Sequence, residues 1–198
     1  MTVISAREAA RRLESAGVGR RRTRQLLRCG VAGPPTTAGG ALLYDADRVE
    51  ALCTWPSMSL GHVDLVCPNG AFLARRYVSC QLSPAELDRE WGREWALSPL
   101  TAVWLRFRIE QDGSFPFVGA VCGFVTRGAD ITVVTPETRS TYRLSFSPPG
   151  AWFEALREHR VAAPGGKTFM VRGWPPPPAT ASSAARPATA PARSRAGR

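Results

Sequence analysis

The stretch RRRTRQLLRCG, residues 20–30, decides how the rest of the chain is read. Thr23, Leu26 and Leu27 share one face at the helical period, and Gly30 stands where such a helix would stop. With Thr23 as the reference angle, Leu27 lies at about 40° and Leu26 at about 300°, while Arg28, Arg21 and Gln25 lie near roughly 140°, 160° and 200°. The spacing predicts a short helix with an apolar inner face and an outer face built of hydrogen-bond donors. Arg24 and Arg22 flank that outer face on its two sides. Arg20 stands at the helix start beside unpaired backbone amides, a natural phosphate position.

The flanks agree with this reading. Upstream, Ser5 with Glu8 three residues on makes a capping box that starts a first helix, and Ile4 can staple onto Ala9. Ala9, Ala10 and Leu13 form its apolar stripe, and Gly17 breaks the pattern before the Gly17-Val18-Gly19 turn. Downstream, VAGPPTTAGGALLY places two apolar ends around Pro34-Pro35 and Gly39-Gly40, which predicts a two-stranded wing with a glycine turn. Asp45 then caps a third helix, Ala46 to Cys53, with Val49 and Leu52 turned inward.

The ordered set of SAREAARRL, the apolar Val18 in the turn, RRRTRQLLRCG, the wing and YDADRVEAL resembles the MerR and excisionase type of winged helix-turn-helix over about residues 4–54. Glu14, Ser15 and Ala16 are extra between the first helix and the turn, and Thr23 stands where that family usually has an aliphatic residue. The resemblance implies double-stranded DNA as partner, with the 20–29 helix in the major groove. There Arg21 and Arg28 would pair with guanine O6 and N7, and Gln25 with adenine N6 and N7. Arg20 would meet a phosphate, Arg22 and Arg24 would flank the contact as further DNA-binding residues, and the wing residues Thr36 and Thr37 would reach an adjacent backbone or minor groove.

The remainder resembles no family and is read from pattern alone. WPSMSLG, residues 55–61, reads as a linker. Residues 62–66 and 72–78 read as strands of a hairpin around Pro68-Asn69-Gly70. Ser83-Pro84-Ala85-Glu86 opens a helix carrying Leu87, Trp91 and Trp95 at spacings of four. VWLRFRI alternates like a strand, Phe117 to Val125 is a continuous apolar run, ITVV and TYRLSF are further strands, and AWFEALREHR closes the unit as a helix with Trp152, Phe153 and Leu156 facing the sheet. The predicted fold class is therefore α+β: a winged unit over 1–54, a small mainly antiparallel α+β domain over 62–174, and a disordered basic Pro/Ala/Arg tail over 175–198.

Composition narrows the function. The 198 residues carry 26 basic and 16 acidic side chains, a net charge of +10, with Lys167 the only lysine. A polyanionic partner is the leading expectation, although an arginine-rich, Ala/Pro-rich composition also follows from a GC-rich genome. The charge is uneven: +4 over residues 1–55, −1 over 56–158 and +7 over 159–198. No apolar run has membrane-spanning length and the first residues are charged where a secretory signal is apolar, so a cytoplasmic protein without a membrane partner is expected. Five scattered cysteines argue against a disulfide framework, and His62, Cys67, Cys80 and the remote His159 are the best zinc set without having zinc spacing. No metal, cofactor or catalytic constellation is expected: Asp130 and Glu137 sit in separate turns, and no phosphate-cradling glycine loop is present. The sequence thus points to a non-enzymatic DNA-binding regulator or excisionase-like accessory factor, with a homodimer expected because one winged module buries little surface. The alternative is an adaptor whose α+β unit does the work by binding a protein or sensing a ligand.

Overall fold

The computed structural model describes residues 2–161 and 168–173. The predicted tail, 175–198, lies outside the described residues. The chain begins β1 (Val3–Ser5), α1 (Ala6–Ser15), α2 (Arg20–Arg28), β2 (Thr36–Ala38), β3 (Ala41–Asp45) and α3 (Ala46–Thr54). Three of these boundaries follow the local chemistry read above. Asp45 accepts the amides of Asp47 and Arg48 at 2.9 and 3.3 Å and so caps α3. Gly30, at φ +70°, takes the left-handed conformation that ends α2, and Gly39 and Gly40, at +56° and +75°, make the tight turn between β2 and β3. β1, which has no counterpart in the sequence reading, pairs antiparallel with the far side of β3, giving a three-stranded sheet in the order β1-β3-β2. The first capping box is only half made. Ser5 accepts the Glu8 amide at 3.2 Å, but the Glu8 carboxylate turns outward to Arg11 and Arg12, because two guanidiniums outbid one backbone amide.

The second part contains β4 (Ser57–Met58), α4 (Leu60–Val66), β5 (Phe72–Arg75), α5 (Pro84–Gly92), β6 (Trp95–Ala96), α6 (Pro99–Asp112), β7 (Phe115–Val121), β8 (Phe124–Pro136), β9 (Thr141–Ser147), a 3-10 turn (Ala151–Ala155), β10 (Arg160–Val161) and β11 (Phe169–Val171). Its eight strands form one mixed sheet, not a mainly antiparallel one in all its parts: β5 runs parallel to β7, and β10 parallel to β4. A parallel β5-β7 pair needs a long crossover, and α5, β6 and α6 supply it.

Several local expectations are corrected. The stretch 55–61 is not a free linker, since Ser57 and Met58 pair with Arg160 and Val161 and Met58 is buried. Residues 62–66 belong to a helix, started by Ser59, which accepts the His62 amide at 3.2 Å; only Val63 of that helix is fully buried. No 62–78 hairpin forms, and β5 ends at Arg75, paired with β7 and β11. The Ser83 helix has its full capping box but stops at Gly92, so Trp95 packs from β6. VWLRFRI lies inside α6, whose start is set by Ser98 accepting the Thr101 amide and whose end is Gly113 at φ +81°. The alternating arginines that imitate a strand are held one by the sheet and one by their own helix. Arg106 donates to the Val134 carbonyl at 3.0 Å, and Arg108 pairs with Asp112 one turn on. The Phe117–Val125 run splits into β7 and β8 at the Cys122-Gly123 turn, and the closing helix is only a 3-10 turn.

The large sheet is covered on both faces, which explains its nearly continuous apolar strands. Phe72, Phe115, Phe117 and Ile131 face a core shared with Trp91, Trp95 and Leu105, while Leu73, Val118 and Val125 face Met58, Val63 and Leu156. The first part, up to α3, has its own core of Ala9, Leu13, Val18, Leu26, Leu27, Tyr44, Val49 and Leu52, but Phe124 of β8 belongs to it too. Further ties cross the same junction: the Cys80 amide donates to Cys29 O at 2.7 Å, and Arg160 donates to Trp55 O at 2.8 Å and to Ala16 O at 3.0 Å. No helix among the described residues is long and apolar enough to cross a membrane.

Candidate nucleic-acid interface

The inner face of α2 is anchored by buried Leu26 and Leu27 and by Thr23, whose Oγ1 donates to Val18 O at 3.2 Å. That hydroxyl bonds the carbonyl of the preceding turn, so the turn and helix are locked together. With the inner face fixed, the outer residues have no freedom to rotate inward. Arg20, Arg21, Arg24 and Arg28 are exposed and, with Gln25, line one open groove of about 640 Å³. None of these four guanidiniums is in an ion pair among the described residues. Their neighbours on α1 behave differently: Arg11 and Arg12 share Glu8, whose carboxyl is held at about 2 by their hydrogen bonds, Arg11 foremost, and Arg12 also reaches Glu50 at 3.6 Å. The unneutralised charge is therefore concentrated on α2.

The start of α2 adds to this. Gly19 gives no side-chain cap and the first turn holds no carboxylate, so its amides and Arg20 present a positive end without an internal counter-ion. A second groove of about 700 Å³ runs between α1, α2 and β3, where Arg7, Arg11, Arg20, Arg24 and Arg28 share the lining with the carboxylates of Glu8 and Glu14. Arg7 was not among the residues singled out by sequence. Its place beside Arg20 and Arg24 depends on how α1 packs against α2, and no spacing within α1 reports that.

Two sequence candidates sit differently from expectation. Gln25 lines the groove but is half-buried, with its Nε2 3.6 Å from Cys29 Sγ one turn along the helix. Arg22 does not join the other four. It borders a separate cavity with Arg75 and Arg76 of the second part, and its own carbonyl accepts from Cys122 Sγ at 3.3 Å. Thr36 and Thr37 are exposed on β2, paired with Leu43 and Leu42, and the glycine tip beyond them has nothing within 4 Å of where a Cβ would stand. The tip is thus free to approach a backbone closely.

The zinc candidates do not assemble. His62 and His159 stack with ring centroids 6.1 Å apart, Cys67 is buried with its thiol pushed up to about 11 by desolvation, and no group of three or more His, Cys, Asp or Glu among the described residues is arranged to hold a metal ion. Asp130 has a structural task, accepting from Gly150 N and Trp152 Nε1 at 2.9 Å each and so fixing the 3-10 turn.

Comparison of the chain with family models, curated proteins and solved structures finds no match. The likeness to the MerR and excisionase type therefore rests on the residues quoted above and on the order of elements they form.

Proposed function

We propose that this chain is a sequence-specific binder of double-stranded DNA, a transcriptional regulator or an excisionase-like accessory factor, that inserts the helix at residues 20–29 into a major groove. The observation that carries the reading is the set of four exposed guanidiniums on α2 with no carboxylate partner among the described residues, beside a β2-β3 wing with a bare glycine tip. Like charges gathered on one short helix cost free energy in the isolated protein, and a phosphate backbone removes that cost by counterion release. Arg21 and Arg28 are the base-reading pair, Arg20 and Arg24 with Arg7 the phosphate contacts, and Thr36 and Thr37 the wing contacts. Gln25 must leave Cys29 to reach an adenine. We place the protein in the cytoplasm as a homodimer, since one helix and a wing bury roughly the 600–1,000 Å² of a single module while stable operators engage two half-sites.

The test is selection of a cognate duplex from a random pool by the full chain, followed by variants on that site. Replacing Arg21 or Arg28 with Ala is expected to cost about 1–3 kcal/mol on the cognate duplex and to relax preference at one base position. Arg20→Ala is expected to weaken every duplex alike, and affinity should fall with salt at a log-log slope of about −5. Equal losses on cognate and random DNA for all three variants would reduce α2 to an electrostatic contact.

A further inference from the structure

We infer that the β2-β3 hairpin acts as an apolar wedge, with Leu42 entering the minor groove beside α2 and kinking the duplex there. The inference rests on the duplex-binding reading and adds to it a deformation of the partner. Residues 31–44 carry no charged side chain, whereas 21% of the whole chain is charged. Residues 36–42 are all exposed, and their only polar side-chain groups are the hydroxyls of Thr36 and Thr37. A hairpin built to meet phosphates would carry cations; this one offers carbon.

The strand register fixes where that carbon points. On β3, Leu42 pairs with Thr37 and Tyr44 with Ile4. Alternate residues of a strand share a face, so Leu42 and Tyr44 lie on the same side of the sheet, about 7 Å apart along the strand. Tyr44 is buried against the helices and lines the groove bordered by Arg20, Arg24 and Arg28. Leu42 stands one step further out on that side and is 46% exposed. β1 ends at Ser5, opposite Leu43, so from Leu42 onward no third strand flanks the hairpin. Gly39 and Gly40 close the tip with nothing within 4 Å of where a Cβ would stand. The result is a thin two-stranded blade whose apolar face continues the side of the sheet that meets the basic groove.

A minor groove about 6 Å wide suits such a blade. Its sugar walls present C–H edges and its floor presents acceptors at A·T pairs, so small uncharged residues enter and a threonine hydroxyl can donate to the floor. An aliphatic side chain pushed between base pairs from this groove unstacks one step and bends the duplex toward the major groove by roughly 20–90°. That direction closes the neighbouring major groove on α2, so wedge and helix act on the same bend. The favoured step is pyrimidine–purine, TA or CA/TG, because it unstacks at the least cost.

The experiment uses the full chain and a cognate duplex selected from a random pool, labelled at its two ends so that energy transfer reports the bend. The variants are Leu42→Ala, which removes the wedge, Leu42→Met, which keeps an unbranched one, and Leu65→Ala, a control at a side chain 81% exposed on α4. The wild-type chain should bend the duplex and enrich a pyrimidine–purine step beside the α2 half-site. Leu42→Ala should lose most of the bend and that enrichment while still binding, and Leu42→Met and Leu65→Ala should retain both. A duplex that is bound but straight, a bend unchanged in Leu42→Ala, or equal losses in Leu65→Ala overturns the wedge and leaves the duplex-binding reading standing. A change of oligomeric state in Leu42→Ala by light scattering, with the bend intact, overturns it in favour of a contact between copies. Failure of the wild-type chain to bind any duplex overturns both readings together.

Discussion

Thr23 is the residue on which the geometry of the candidate interface turns. Fully buried in an otherwise apolar core, it is bonded to the Val18 carbonyl at the joint between the turn and α2. Thr23→Val keeps shape and volume but leaves that carbonyl without its hydroxyl donor. A loss of about 1–2 kcal/mol is expected in denaturant unfolding, with a larger fractional loss of duplex affinity if the helix reorients. An unchanged midpoint would mean that an aliphatic residue fits here equally well. The cysteines carry a second prediction at this scale. Burial pushes the Cys67, Cys80 and Cys122 thiols up to about 11, and Cys29 and Cys53 in the same direction. The native chain should therefore be alkylated slowly at pH 8 and rapidly once unfolded. The linkage has a definite sign: a thiol whose folded pKa is raised contributes stability below its ordinary value of 9.0, and that contribution is lost as pH rises from 9.0 to about 11. Stability that rises across that window would contradict the assignment.

At the scale of elements, α6 shows how a local signal can mislead and also where two copies can meet. The alternation in VWLRFRI imitates a strand, while Ser98-Pro99 and Gly113 mark a helix that begins and ends outside the alternating window. The resulting helix buries Ala102 and Leu105 on the sheet and leaves Leu100, Val103 and Phe107 exposed at 68, 58 and 53%, a stripe at i, i+3 and i+7 on its outer side. A second copy is the occupant that its charges fit. Glu110 lies in the last turn, beside Asp112 that Arg108 already holds, and no acidic residue lies in the first, so an antiparallel mate would bring each copy's Glu110 to the other's positive helix end. Light scattering should find a dimer for the full chain at micromolar concentration and a monomer for Val103→Glu, whose side chain is too exposed to disturb the fold. A dimer that survives the substitution would place pairing elsewhere, and a monomeric wild-type chain would leave assembly to DNA.

At the scale of the whole molecule, Phe124 joins what the sequence reads as separate units. It belongs to β8, yet it is buried in the core built by α1, α2 and α3, with its ring centroid 5.7 Å from that of Trp55. The hydrogen bonds of Arg160 to Trp55 and Ala16 and of Cys80 to Cys29 cross the same junction. Calorimetry of the full chain should therefore show one cooperative transition, and Phe124→Ala should lower it as a whole by about 3–5 kcal/mol. Two transitions, with only the one from the sheet part shifted, would show that the winged part is stable by itself.

What the sequence determined by itself is what short-range chemistry decides. The Ser5, Asp45 and Ser83 caps, the Gly30 stop, the glycine turn of the wing and the inward set of Thr23, Leu26 and Leu27 all act within a few residues, so spacing alone reveals them. From them came the order of elements up to α3 and the exposed ridge of Arg20, Arg21, Arg24 and Arg28. The tertiary structure decided what depends on partners distant in the chain. HVDLV is a helix because Ser59 caps it and β5 finds its pairs in β7 and β11 instead. Residues 57–58 are a strand because Arg160 and Val161 lie beside them, and Arg22 leaves the basic ridge because the β7-β8 turn meets α2 on that side. Strand pairing and side-chain company over a hundred residues are set by packing of the whole core, and no local period encodes them.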